Sequence, residues 1–230
     1  MIFTRKAKVL SLYDITGRMV EPWAEMGHKC TIVDIEPTRK TLKSIRSIQA
    51  DILRWNPHEK YDIVFGFPPC TDLAASGARW WDEKADIDPN FQQKALRHFD
   101  RVFTIAKQVM ASIVMVENPV GAITRFRRPP NYTFHPWEYS HLYYRDAYQK
   151  RTCLWTNETF VMPPGRKHQP DLSDKIHKYG PSSERAFLRS VTPGGFAIGV
   201  FCYNAPISEV KKFRNGPVQR MRDRWKQQDF

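Results

Sequence analysis

The chain reads as one α/β domain, a mostly parallel sheet covered by helices on both faces. Short β-rich runs alternate with helical stretches through the first half, the order that builds a parallel sheet. Several of these runs are apolar without alternation, as in strands buried on both sides. With 230 residues, 41% hydrophobic, and 7 Trp, 9 Tyr and 14 Phe, the chain can fill one substantial core.

In order, Val9 to Tyr13 is a first strand, Asp14 to Gly17 a turn, and Met19 to Met26 a helix ended by Gly27. Cys30 to Ile35 and Ile48 to Ile52 are the second and third strands, and Tyr61 to Phe67 is the fourth, closed by Pro68-Pro69. Phe91, Ala95, Phe99, Val102, Phe103, Ala106, Val109 and Met110 then recur at helical spacing. Ser112 to Glu117 is a fifth strand, stopped by Pro119. Beyond Arg128 the pattern weakens among Pro, Tyr, His and charged residues. Cys153 to Trp155 reads as one more strand and Asn157 to Ser183 as loop. No repeat, low-complexity segment or linker divides the chain, so residues 1–230 are expected to form a single domain with an irregular second half.

No apolar run approaches the length that crosses a bilayer, and no secretory signal is visible. A cytoplasmic address is therefore expected. Cys30, Cys70, Cys153 and Cys202 are scattered, with no Cys-x-x-Cys spacing, so neither a disulfide framework nor a metal site is expected. The net charge of +12 suggests a polyanionic partner. Arg125, Arg127 and Arg128 cluster beside Phe126, and residues 205–230, with Lys211, Lys212, Arg214, Arg220, Arg222, Arg224 and Lys226, read as a basic C-terminal tail. A merely solvated basic surface is the alternative.

Sheets of this kind collect ligands beyond the carboxyl ends of their strands. That rule selects Asp14 to Gly17, Asp34, Asp51, Cys70 and Glu117. Cys70 follows Gly66-Phe67-Pro68-Pro69, where prolines lead the chain out of the sheet and present a thiol. Glu117 ends the neighbouring strand, so thiol and carboxyl can meet at one edge. A structural loop cysteine and a capping or ion-paired glutamate are the plainer readings of each residue alone.

Taken together, these motifs resemble the cytosine-5 DNA methyltransferases, especially short phage-type members, from about Val9 to Tyr203. Val9 to Gly17 resembles the first cofactor motif, Asp34-Ile35-Glu36-Pro37 the acidic end of the second strand, and Asp51-Ile52 the adenine-contacting motif. Gly66 to Cys70 resembles the nucleophile motif, Glu117-Asn118 the catalytic-acid motif, and Gln149-Lys150-Arg151 the Gln-x-Arg motif. Arg189 to Ala197 resembles the last motif, loosely.

The resemblance implies a Rossmann-like, S-adenosylmethionine-dependent methyltransferase fold and transfer of methyl to carbon 5 of a cytosine flipped out of double-stranded DNA. It implies catalytic roles for Cys70, Glu117 and Arg151. It also implies a cofactor site from Tyr13, Asp14, Thr16, Gly17, Asp34, Ile35, Asp51, Ile52, Phe67 and Pro69. Asp34 would take the ribose hydroxyls, Asp51 the adenine amino group, and Tyr13 would stand against the adenine. Arg79, Trp80, Arg125, Arg127 and Lys167 are candidate nucleic-acid contacts, with Lys175, His177 and Lys178 as further phosphate contacts. A monomer in a bacterial or phage-infected cell, with no metal and no membrane partner, is expected.

The sequence departs from the family's pattern in several places. Gly17 is the one glycine of the first turn, Thr71 stands where Gln commonly follows the nucleophile, and Cys153 replaces a second arginine after Arg151. The target-recognition region shrinks to about residues 157–184, which implies low sequence specificity. Modification of a free cytosine nucleotide or of RNA, and a catalytically silent DNA-binding relative, are the alternatives.

Overall fold

The computed structural model describes residues 5–39, 42–173, 187 and 190–227. Its centre is a seven-stranded sheet in the order β3-β2-β1-β4-β5-β7-β6. Strands β1 (Lys8–Leu12), β2 (Lys29–Asp34), β3 (Arg46–Gln49), β4 (Ile63–Gly66) and β5 (Ile113–Pro119) run parallel. Then β7 (Thr152–Thr156) is laid antiparallel on β5, and β6 (Tyr132–Phe134) antiparallel on β7. A parallel sheet carrying an antiparallel pair at this edge is the Rossmann-like methyltransferase fold.

Both faces are covered. One core joins Val9, Phe65, Met115 and Leu154 to Trp23 of α1 (Glu21–Glu25) and to three C-terminal helices: α5 (Gly194–Asn204), α6 (Ile207–Arg214) and α7 (Pro217–Lys226). The other joins Leu10, Val64, Val114 and Trp155 to α3 (Phe91–Gln108), which presents Leu96, Phe99, Val102 and Ile105 at helical spacing. Two short helices, α2 (Trp81–Ile87) and α4 (Ile123–Phe126), follow the loops after β4 and β5.

The five parallel strands and α3 fall where the sequence places them, within two or three residues. The second half is more regular than its composition suggests. The stretch from Gly194 to Asn204 is a helix buried along nearly its whole length, so it has no polar face to mark its period. The basic C-terminal stretch is not a tail but two packed helices. Trp225 is fully buried; its Nε1 donates to Glu21, and Arg224 reaches Glu21 Oε1 (2.9 Å) and Glu25 Oε1 (2.7 Å) on α1. Helix α6 begins at the edge of the sheet opposite the strand ends that Asp34 and Glu117 mark. There Glu209 touches Lys6 and His28, which precede β1 and β2.

No helix among the described residues is long and apolar enough to cross a membrane. No group of three or more His, Cys, Asp and Glu among them could hold a metal ion. Lys175, His177, Lys178 and Arg189 lie outside the described residues.

Candidate active site

The turn after β1 is built by its own aspartate. Asp14 is 5% exposed. Its Oδ1 accepts from the backbone of Thr16 (3.0 Å) and Gly17 (2.7 Å) and from Thr16 Oγ1 (3.1 Å), while Oδ2 accepts from Ser11 Oγ (2.8 Å). Four donors occupy this carboxylate, so Asp14 shapes the turn rather than offering an open acceptor. Thr16 is similarly engaged, its Oγ1 also accepting from Arg18 N at 3.2 Å. Gly17 takes φ +67°, which glycine adopts without strain.

Tyr13 also has a positive φ, 59°, unfavourable for a bulky side chain and the kind of strain that collects at ligand sites. Two bonds hold it there. Its N–H donates to Val33 O (2.8 Å), and its hydroxyl lies 3.0 Å from His98 Nδ1 on α3. Burial, reinforced by Asp51, pushes the Tyr13 hydroxyl up, and burial pushes the His98 imidazole down. Both favour neutral rings.

The next two strand ends supply carboxylates. Asp34 is half-buried at the end of β2, with Oδ1 accepting from Glu36 N at 2.9 Å. Burial raises its pKa, opposed by that hydrogen bond. Asp51 follows β3, its Oδ1 accepting from Leu53 N at 3.0 Å. Between these ends and Tyr13 lies a cavity of about 250 Å³. Ile35, Ile52, Phe67 and Pro69 are apolar walls, and Asp14, Thr16, Asp34, Asp51, His98, Ser190 and Thr192 line the rest. Ile35 is 62% exposed at its rim. Apolar walls flanked by two carboxylates suit a planar base joined to a vicinal diol, an adenosine-like group. All the sequence-predicted cofactor residues except Gly17 line this cavity, though Asp14 and Thr16 do so with side chains committed to the turn.

Beyond Phe67 a smaller cavity adjoins it, sharing Phe67, Ser190 and Thr192 and adding Glu117, Lys150, Phe134 and Phe196. Glu117 Oε1 is buried and makes no hydrogen bond. Lys150 Nζ stands 3.6 Å from that oxygen, with the two side chains 15% and 16% exposed. Arg151, the residue the Gln-x-Arg resemblance favours, is instead exposed.

Cys70 lies half-buried in the loop after β4, three residues past Phe67. That loop is tied to the one after β5. Asn118, 1% exposed, donates from Nδ2 to Pro68 O at 2.8 Å. Ala75 N donates to Val120 O (2.8 Å) and Ala122 N to Leu73 O (2.7 Å). A Cβ on Gly121 would fall 1.8 Å from Leu73 O, so glycine alone permits this approach. The loop that carries Cys70 and the strand that carries Glu117 thus end at the same edge of the sheet, with the approach to β7 beside Glu117; Cys70 lines neither of the two cavities.

The candidate nucleic-acid residues divide. Arg79 and Trp80 are exposed and stacked, guanidinium carbon 4.9 Å from the ring centroid. Arg125 is exposed over Phe126, and Lys167 is exposed. Arg127 is different: Nε and Nη2 clamp both oxygens of Asp100 on α3 at 2.8 and 2.6 Å, leaving its fork occupied. Arg128 bonds Asn131 Oδ1 and Thr156 O, a structural role.

Ser190 and Thr192 fall within the Arg189 to Ala197 motif, whereas sequence reasoning missed the Tyr13–His98 pair and the reach of Lys150 to Glu117. Only strand alternation across β7 could have signalled the last.

No family model and no curated protein matches the chain. Several solved structures are similar at 10–13% identity. One is an E. coli prophage protein proposed to be a DNA modification methyltransferase, with 12% identity and a TM-score of 0.43 over 74% of this chain. The present chain spans only half of that protein's length. Others are DhpI with SAM and HEP (13% identity, TM-score 0.31, 53% of this chain and 50% of that one) and coclaurine N-methyltransferase with N-methylheliamine and SAH (10%, 0.34, 93% and 64%). At these scores the likenesses carry no argument about function.

Proposed function

We propose that the protein is an S-adenosylmethionine-dependent methyltransferase acting on carbon 5 of cytosine in DNA. The observation that supports this is that β4 and β5 run parallel side by side, so the loop bearing Cys70 and the strand bearing Glu117 leave the sheet at the same end, with Lys150 beside Glu117. The cavity edged by Asp34 and Asp51 lies beside them.

Asp34 would hold the cofactor ribose and Asp51 the adenine amino group, between Tyr13, Ile35, Ile52 and Pro69. When bound, the cofactor supplies an electrophilic methyl group. The protein's own task is to make carbon 5 nucleophilic. The Cys70 thiolate adds to carbon 6, the ring double bond moves to carbons 4 and 5, and nitrogen 3 takes up a proton at the Glu117 carboxyl. Once carbon 5 carries the methyl group, loss of its proton lets the carbon–sulfur bond break, nitrogen 3 returns its proton to Glu117, and Cys70 is freed. Such a covalent route divides one difficult step into easier ones. Arg79 and Trp80 suit contact with phosphate and an unstacked base.

A second reading, modification of a free cytosine nucleotide, draws support from α6: its Lys211, Lys212 and Arg214 start from the opposite edge and are poorly placed to hold DNA against the site. The test offers labelled S-adenosylmethionine with either DNA or a cytosine mononucleotide, alongside Cys70→Ser. Label in DNA that is lost in the variant is the expected result. Label in the mononucleotide alone moves the function to nucleotide modification. No transfer to either, with no cofactor binding, overturns the methyl-transfer reading.

A further inference from the structure

We propose that Lys150 is the positioning residue for Glu117, holding the carboxyl toward the target base by charge; this rests on the cytosine reading above.

Strand geometry carries the assignment. In the antiparallel pair β5–β7, Glu117 lies opposite Leu154 and Asn118 opposite Cys153. Directly opposed residues share a face, and successive residues alternate. Leu154 packs in the core beneath α1 and α5, whereas Cys153 and Trp155 pack in the core beneath α3. Continued back through Thr152, the alternation gives Lys150 the face of Glu117 and gives Arg151 the other. The contact agrees: Lys150 Nζ is 3.6 Å from Glu117 Oε1, both side chains are mostly buried, and both line the small cavity with Phe67, Phe134 and Phe196.

The chemistry follows from what surrounds the pair. Apolar rings close the cavity, so the carboxylate formed when nitrogen 3 takes the Glu117 proton needs a compensating cation. The Glu117 oxygen nearest Lys150 is buried and makes no hydrogen bond, so its hydrogen-bonding capacity is not taken up by the protein. Cys153, which takes the place of the resembled motif's second arginine, is a buried thiol whose pKa burial raises, and it faces α3. A cation at that position would point away from the cavity; the residue at 150 supplies one on the correct side.

The test needs no cofactor. Addition of Cys70 to carbon 6 makes carbon 5 basic, so it takes a proton from water, and elimination returns cytosine with its carbon 5 hydrogen exchanged. Release of tritium from DNA labelled at that position reads the step in which Glu117 acts. We expect Lys150→Met to slow release by about 100-fold, the lower range for losing a proton-transfer partner. Cofactor affinity and DNA affinity should stay unchanged, Tm should fall as the mostly buried carboxyl loses its cation, and Lys150→Arg should recover most of the rate. Glu117→Gln with Lys150→Met should be no slower than Glu117→Gln alone, because a residue acting through Glu117 has nothing left to act on. Wild-type rates in Lys150→Met, or losses that multiply in full with Glu117→Gln, overturn the assignment. If the wild type releases no tritium and transfers no methyl, it is instead the cytosine reading that fails.

Discussion

Two carboxylates at the same edge of the sheet are held in opposite ways. Asp14, after β1, is 5% exposed and accepts four hydrogen bonds, three from its own turn and one from Ser11 of β1. Glu117, in β5, has a buried oxygen with no hydrogen bond and an ammonium 3.6 Å away. A saturated carboxylate has nothing left for a ligand and serves the backbone. An open one is tolerated only where something else completes it. Position at a strand end therefore selects candidates, and hydrogen-bond accounting sorts them into architecture and chemistry.

The sharpest test lies on the chemical side. Cys70→Ser should reduce methyl transfer about 10³-fold or more while Tm and cofactor binding persist, measured by label incorporation and thermal denaturation. On the architectural side, Asp14→Ala strips four donors of their acceptor. It should cost about 2–3 kcal/mol and lower Tm by about 5–10 °C. An unchanged Tm would erase the distinction between the two carboxylates. Asp34→Ala should behave as an intermediate case, weakening S-adenosylmethionine about 10- to 100-fold, the range for a charged hydrogen bond. Calorimetric titration checks this, and Tm without cofactor should hold.

A smaller effect comes from the far edge. His28 Nδ1 accepts from Ala7 N at 2.9 Å, and Nε2 lies 2.5 Å from Glu209 Oε2, which fits a neutral ring with its proton on Nε2. Burial lowers its pKa, outweighing Glu209 and joined by Lys6; the Trp23 and Phe201 rings pack on it. As pH falls the unfolded chain therefore takes the proton first, at about pH 6.5. Stability from the neutral ring is complete above that value and lost as pH falls toward the folded value. Tm should fall by a few degrees between pH 7.5 and 5.5, and His28→Gln should flatten that slope. Glu209, whose pKa is lowered, keeps its full contribution across this range and loses it only in more acidic solution. Smallest of all, Arg127→Ala should leave DNA affinity nearly unchanged in a filter-binding titration, because Asp100 already holds that guanidinium.

The parallel half of the fold was legible because its signals are local: unbroken apolar strands, prolines at their ends, and the 3.6-residue spacing of α3. The C-terminal half hid for definite reasons. Helix α5 is apolar on all sides, and the basic side chains of α7 conceal Val218, Met221 and Trp225, which face the core. At the site, Cys70 and Glu117 could be named from strand ends. That Arg127 is clamped by Asp100 and that Lys150 rather than Arg151 lies beside Glu117 depend on partners distant in sequence, which no motif records.

The contact of Gly121 with the Leu73 carbonyl has a mechanical consequence. With Ala74 bridged to Gly121 and Ala75 bonded to Val120, the segments after β4 and β5 are riveted into one plate. Any swing that brings Arg79 and Trp80 toward a substrate must pull on the segment following Glu117 as well. Closing the site and aligning its acid would then be a single motion, and a side chain at position 121 would uncouple them without touching either residue.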